Sequence, residues 1–379
     1  MMGRRLLRRW PLLLALLLAL LCALCVWRVH ALSSLLPGQQ AAVRWKGESE
    51  RSFSQISCFL PVTAGLDRDR IYSFRSEMAK KLRAASLNPE EPGLYTDAWS
   101  AFDTVRVSAG RRSGEVSCIA VGGHFFDFHP LRLVSGSYLG PEDLMDDRVL
   151  LDRETAWLLF GAEELTGMSF SVNGTPFVVA GVYAHENDRF SRQALGDTMT
   201  VYMSYSAYER LMSDGGAQRS DVRCYEFVSV EPVKGFAGMA AQEKFPVKTA
   251  ELVENSYRFE PERLYRLLRN RTERTMRRDS IVYPYWENAA RGAEDRAAHW
   301  LLGALLSGAF PLALLLWTAI HAVAHGKRRL ERDVLPETKK RTREYLRARS
   351  RRRWERRHPD EAAWDEAEPD LSDEEIHLL

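Results

Sequence analysis

Cysteine is scarce in this sequence, and the five present make no framework. Cys22 and Cys25 lie inside an apolar run, while Cys58, Cys118 and Cys224 are isolated. Free buried thiols are the expected state, with a Cys58–Cys118 bridge between neighbouring strands as the alternative. Catalytic motifs are missing too. No Gly-x-x-x-x-Gly-Lys-Ser/Thr loop is present, so the chain has no P-loop nucleotide site of its own. Neither a Gly-x-Ser-x-Gly elbow nor a His-Glu-x-x-His helix occurs. No cofactor is expected. The net charge is only +2 over 379 residues, so the overall balance points to no particular partner. The length suffices for one sizeable domain or two small ones.

Two clusters have the residue types of a metal site: His124, Asp127 and His129, and His185, Glu186 and Asp188. In the run His-Phe-Phe-Asp-Phe-His-Pro the reading is an extended segment, which sends His124 and His129 to opposite faces. The expectation is therefore no metal, with the phenylalanines seating one part of the fold on another. A surface hydrolase built on His124 or Asp127 is the outlying alternative. Asn173 and Asn270 lie in Asn-x-Thr sequons, and Asn173 is read as a turn residue. Arg153, Arg189 and Arg192 are candidates for exposed partner contacts.

What the chain has in quantity is apolar sequence near its two ends. Pro11 to Val26 is almost pure Leu and Ala, at the short end of what spans a hydrocarbon core of about 30 Å. Trp10 and Trp27 flank it, as suits the two membrane interfaces. Cleavage after Val29-His30-Ala31 is the rival reading. Trp300 to Val323 is a second apolar run, broken only by Pro311. Arg4, Arg5, Arg8 and Arg9 precede the first run, and Lys327, Arg328 and Arg329 follow the second. Both charge patterns predict the same two-pass topology in the cell membrane, N-in and C-in. The divisions are residues 1–10 in the cytoplasm, 11–27 and 299–323 in the membrane, 28–298 outside, and a cytoplasmic tail at 324–379. The tail is basic to Arg357 and acidic from Asp360 to Glu375. It reads as solvated chain or as a membrane-surface helix, ahead of nucleic-acid binding, because no recognised nucleic-acid domain accompanies the basic run. Tyr283, Tyr285, Trp286 and Trp300 lie just before or at the second run, where aromatics sit at the headgroups or meet a partner's helix.

Between the runs, Phe53 to Pro61 reads as a strand and Asp67 to Ala85 as a helix with Ile71, Phe74, Met78 and Leu82 on one face. Strands follow at about Ala101 to Val107 and Glu115 to Val121, giving half of a split βαβ sandwich. Later strands are read at Thr198 to Tyr202, Val222 to Val230 and Val247 to Val253, with helices at Phe236 to Lys244, Pro261 to Met276 and Tyr285 to Ala298. Two chain-distant halves then make one sandwich, with a lobe of about Pro130 to Glu186 inserted between them.

The lobe holds the most informative stretch, Val149 to Tyr183. Asp152 caps a helix whose first turn carries Glu154. Gly161 is its left-handed stop. Met168, Phe170 and Val172 alternate with serines, Asn173-Gly174 is a two-residue hairpin turn, and Phe177 to Val182 is a doubly buried strand.

This order resembles the MacB-like periplasmic core domain of ABC transporter permeases of the FtsX and MacB type. The residues that carry the resemblance are Leu159-Phe160-Gly161, Gly167, Asn173-Gly174 and the Phe177 to Val182 strand with Gly181, preceded by Phe125 to Leu133, Gly136 and Asp143. The resemblance implies an α+β fold: a porter-like sandwich with an inserted helix–hairpin, sabre-like lobe, flanked by two transmembrane helices. Such proteins couple cytoplasmic ATP hydrolysis to movement of an external domain, and they typically have four spanning helices. This sequence supplies two and no ATPase. The expectation is a non-enzymatic component of an ABC-type export or mechanotransmission complex, with separate ATPase and permease subunits, membrane lipids and an oligomer as partners. The alternative is a free-standing sensor or scaffold that signals through the charged tail.

Overall fold

A computed structural model describes residues 2–62, 66–140, 146–214, 222–245, 250–270, 277–278, 281–329 and 335–357. Asp143 and the acidic run 360–375 lie outside the described residues. In chain order the elements are α1 (Met2–Ser33), α2 (Ala41–Lys46), β1 (Phe53–Phe59), α3 (Arg68–Ala84), β2 (Tyr95–Ala109), β3 (Arg112–Gly123), α4 (Phe125–Phe128) and β4 (Arg132–Gly136). There follow β5 (Arg148–Asp152), α5 (Arg153–Leu159), β6 (Ser169–Val172), β7 (Thr175–Ala184), α6 (Arg189–Leu195), β8 (Thr200–Ser204) and α7 (Tyr205–Asp214). The chain continues through β9 (Cys224–Val230), α8 (Phe236–Lys244), β10 (Glu251–Glu254), α9 (Pro261–Arg269), β11 (Arg277–Arg278), β12 (Ile281–Val282), α10 (Tyr285–Arg329) and α11 (Leu335–Arg357). Two compact units result, Leu20–Ser307, and Met1–Ala19 with Gly308–Leu379.

The first unit is α+β, built on one mixed sheet of order β10-β1-β9-β2-β3-β8-β5-β7-β4, with β6 laid across β2 and β7. The inserted lobe does not carry a separate sheet. β8 pairs parallel with β3 and antiparallel with β5, so it joins the two halves. Strand alternation gives each residue its face. Val149 and Leu151 join a core roofed by α3, α5, α7 and α8, with Phe74, Met78, Ala156, Leu159, Leu211 and Ala240. Leu150 between them points into a second core with Phe125, Phe128, Tyr183, Tyr202 and Trp286. Nearly continuous apolar strands are what a sheet covered on both faces requires.

Two helices are long and apolar enough to cross a membrane, Trp10–Ser33 and Tyr285–Arg328. α1 exposes Leu13, Leu16, Leu17 and Leu20, and α10 exposes Leu306, Leu312, Leu315, Leu316 and Ile320. Contiguous apolar surface of that extent needs a non-aqueous cover.

The structure alters several expectations. Residues 124–129 are not extended. Phe125–Phe128 closes a helical turn, with the His129 N–H donating to the Phe125 carbonyl at 2.9 Å. The turn puts Phe125 and Phe128 together in the second core, which an extended run could not. The hairpin of β2 and β3 is longer than the apolar alternation suggested, because β9 holds the early part of β2 from Tyr95 to Ser100. No disulfide forms: all five cysteines are free. β9 and β2 lie between Cys58 on β1 and Cys118 on β3. That is about 14 Å at ordinary strand spacing, well beyond disulfide reach. β4, β5, α6 and α7 are additions to the elements read from the sequence.

β4 meets β7 unusually closely. A Cβ on Gly181 would lie 2.5 Å from the Ser135 carbonyl oxygen, and one on Gly136 2.2 Å from that of Ala180. Gly181→Ala is therefore expected to destabilise the chain by about 3 kcal/mol through overpacking. Gly167→Ala has open space and suffers only its φ of +85°, so about 1 kcal/mol is expected. Denaturant titration of the detergent-solubilised chain measures both, and the reverse order would contradict the close approach.

Candidate functional site: the joint between the sheet and α10

Glu287, Arg291 and Glu294 lie four and three residues apart, so they share a face of α10 otherwise made of Ala289, Ala290, Ala293 and Ala297. Alanine lets the helix come close, and the charged residues meet partners from four other segments. Arg258, just after β10, is 1% exposed. Its guanidinium donates to both Glu287 carboxylate oxygens at 2.6 and 2.9 Å, to Gln39 Oε1 at 2.8 Å and to Asn255 Oδ1 at 3.0 Å. Its Nε lies 3.0 Å from Glu294 Oε1. Arg263 of α9 stands 3.6 Å from the same oxygen. Arg291 donates to Glu287 at 2.7 Å and to Glu251 of β10 at 2.6 Å. It also covers the Tyr283 ring at 3.7 Å, while the Tyr283 hydroxyl donates to Glu251.

Three arginines thus face three glutamates, and Arg258, Glu287 and Glu294 at the centre are almost out of contact with water. Burial alone would raise the Glu287 carboxyl, but Arg258 and Arg291 outweigh it and hold the group below the usual carboxylate range. Burial would likewise lower the Arg258 guanidinium, and Glu287 with Glu294 raises it instead.

The network runs on through the sheet. Asn255 donates to Ser57 Oγ at 2.7 Å, Ser57 donates to Glu226 at 2.6 Å, and Glu226 meets His129 Nε2 at 2.5 Å. Trp286 of α10 returns to the same point, its ring 4.5 Å from that of His129 and 5.6 Å from that of Phe102. The Tyr285 hydroxyl reaches Tyr202 of β8 at 3.3 Å and Glu186 at 3.2 Å. The start of α10 is therefore fastened to β10, β1, β9, β8 and the entry of the lobe. Val29 and Leu32 of α1 pack beside it against Ala297, Ala298 and Leu301.

Tyr285 and Trp286 were expected at lipid headgroups. The structure places Trp286, 7% exposed, inside the second core instead, because α10 begins on the sheet and not at its apolar stretch. Trp10 and Trp27 are exposed, and Arg28 lies between the rings of Trp27 and Trp300 at 5.3 and 5.7 Å. The lobe motif residues do local work. Asp152 caps α5 by accepting from the Thr155 N–H at 2.7 Å. Gly161, Asn173 and Gly174 all have positive φ. Phe160 packs against the first core.

Neither suspected metal cluster assembles. His129 is spent on Glu226, while His124 stays exposed with Asp127 at 3.3 Å. Asp188 caps α6 by accepting from the Phe190 and Ser191 N–H groups. His185 turns instead to Asp152 at 2.9 Å, with Glu154 at 3.9 Å. The Asp152 oxygen concerned already accepts from the Thr200 N–H at 2.6 Å. Arg189 and Arg192 are exposed, whereas Arg153 is half-buried and pairs with Glu163 at 2.9 Å.

Sequence reasoning missed Arg258, Glu287, Arg291 and Glu294. The signal available was three charges on one face of an alanine-rich helix. Arg258 had none, because its partners lie 29 and 36 residues further along.

Residues 62–241 match the family described as the MacB-like periplasmic core domain. Among solved structures the chain is similar to the extracellular domain of the noncanonic ABC-type transporter YknZ from Gram-positive bacteria. That likeness has 14% identity and a TM-score of 0.37, and covers 52% of this chain and 99% of that one. It is also similar to the periplasmic region of MacB from Actinobacillus actinomycetemcomitans, at 15% identity and a TM-score of 0.39, covering 57% and 92%. No curated protein matches.

Arg258→Met strips the main partner from two buried carboxylates and is expected to cost about 3–5 kcal/mol. Adding Glu287→Leu should cost less than the two single changes together, since the second removes a charge the first stranded. Because the Glu287 carboxyl is held low in the folded chain, its contribution is present above the ordinary carboxylate range. It is lost as pH falls through the depressed value. Acid titration of stability should therefore be shallower in Glu287→Gln than in the native chain; parallel curves would contradict the pairing.

Proposed function

We propose, from the premise that the chain carries a MacB-like periplasmic core domain beside two membrane-length helices, that it is a non-enzymatic, membrane-anchored component of an ABC-type export or mechanotransmission complex. The core domain lies outside the membrane and both ends lie in the cytoplasm. Movement delivered to the membrane helices reaches the external domain and whatever docks on it. Separate ATPase and permease subunits supply the energy.

The observation that carries this reading is the Arg258 joint. A flexible tether would leave the external domain indifferent to a helix shift. Here α10 enters the sheet through the buried, bidentate Arg258–Glu287 pair and two aromatic side chains, Tyr285 and Trp286. Buried ion pairs tolerate little displacement, since each ångström of separation strands a desolvated charge. Trp10, Trp27 and Trp300 are assigned to the two interfaces, where such rings favour the headgroup level. The lobe residues Phe160, Gly161, Gly167, Asn173, Gly174 and Gly181 shape a rigid body that offers surface, not chemistry.

A second reading, a free-standing sensor or scaffold, draws on the exposed basic helix α11. Deleting residues 343–379 separates the two: a sensor loses function, whereas the complex component retains assembly.

Purification of the full chain in mild detergent is expected to bring down an ATPase subunit and at least one further membrane subunit. Recovery of the chain alone would falsify the assignment. In intact cells, Arg189→Cys should react with an impermeant maleimide and Ser350→Cys should not; the opposite pattern would invert the topology.

A further inference from the structure

We infer that α11 is an electrostatic arm that lies on the anionic phospholipid headgroups of the membrane α10 crosses, an inference that rests on α10 being a span. α11 carries eleven Lys and Arg against three Glu, and all its side chains from Thr338 to Arg353 are exposed. Its charges run round the whole helix. Lys339, Arg343 and Arg347 follow one line, and Arg349, Arg353 and Arg352, Arg356 follow two others, each at four-residue spacing. Like charges four apart oppose a helix, and there is no apolar stripe to hold it against a protein core. Tyr345 and Leu346 are exposed at 64% and 54%. A helix of this composition needs a polyanion beside it.

The position of α11 favours a lipid surface as that polyanion. The apolar part of α10 ends near Val323, and Lys327 and Arg328 follow at once. Only residues 330–334 separate α10 from α11, so the arm begins within about 20 Å of the helix that leaves the membrane. Its own length is about 34 Å. The potential of an anionic leaflet reaches roughly 8–10 Å. Only a helix lying along the surface brings its charges into that layer. Nine of the eleven basic residues are Arg, whose planar fork matches phosphate oxygens. The chain's own acidic end, with nine Asp and Glu between 360 and 375, is the rival occupant. Its nine carboxylates match the net charge of α11, eleven basic less three acidic residues, so a chain ended at Pro359 distinguishes the two covers. Binding of this kind is adsorption without insertion, so it is reversed by salt.

The test uses the full chain in lipid nanodiscs and follows chymotryptic cleavage after Tyr345, a site that arginine substitutions leave intact. Against pure phosphatidylcholine, discs with about one third phosphatidylglycerol should slow cleavage about tenfold or more. Salt of about 0.5 M should restore the rate. Replacing Arg349, Arg352, Arg353 and Arg356 by Gln should abolish most of the protection. Equal rates in both lipids overturn the inference. So does protection in neutral discs that vanishes when the chain is ended at Pro359, since the acidic tail is then the cover. Alkaline-carbonate washing of the membranes tests the span separately. Extraction of the chain there defeats the underlying topology, whereas retention with unchanged cleavage defeats the arm alone.

Discussion

A fully charged guanidinium with almost no access to water is the constraint from which the rest of this structure can be read. Moving an ion such as Arg258 out of solvent costs several kcal/mol even after relaxation. It is offset only because Glu287, Gln39 and Asn255 accept hydrogen bonds from it and the Glu294 carboxylate lies 3.0 Å from its Nε. Those partners come from α10, from the turn after α1 and from the segment after β10. None of them can shift without exposing an uncompensated charge to low dielectric. Apolar side chains of equal volume would bind these segments about as tightly. They would not define the rotation and height of α10 so narrowly, because apolar contacts slide and bidentate ion pairs do not.

That definition matters because of what lies at either end. On one side the polar chain passes through Asn255, Ser57 and Glu226 to His129, at the entry of the inserted lobe. On the other side α10 runs on as helix to Arg329. The lobe itself is tied to the sheet through β8, which pairs with β3 on one edge and β5 on the other. A single sheet covered on both faces has little freedom to bend between its halves. The sheet, its lobe and the first turns of α10 that are fastened to them thus make one packed body, which is the property the proposed function draws on.

Much of the local structure was legible in the residues. Asp152 caps α5, Gly161 and the Asn173-Gly174 turn take positive φ, and Phe236 to Lys244 forms a helix. Each of these is a short-range matter: a side-chain oxygen reaching an amide three residues on, or a backbone angle that few residues tolerate. The errors have one origin as well. The sequence expectation for His-Phe-Phe-Asp-Phe-His is an extended segment, but burial of Phe125 and Phe128 in the second core selects the helical turn. Trp286 was read as an interfacial aromatic from its place before an apolar run, whereas the helix already begins on the sheet at Tyr285.

Sequence alone determined the two membrane-length helices, the charges that flank them, the repertoire of caps and turns, and the resemblance to a known core domain. All of these depend on neighbours within one or two turns of chain. Tertiary structure decided that the lobe shares the sheet of the main domain, that two strands separate Cys58 from Cys118, and that Arg258 meets Glu287 and Glu294. Those facts depend on which distant segments pair, and pairing is settled by simultaneous burial and charge neutralisation, which no single stretch of chain carries.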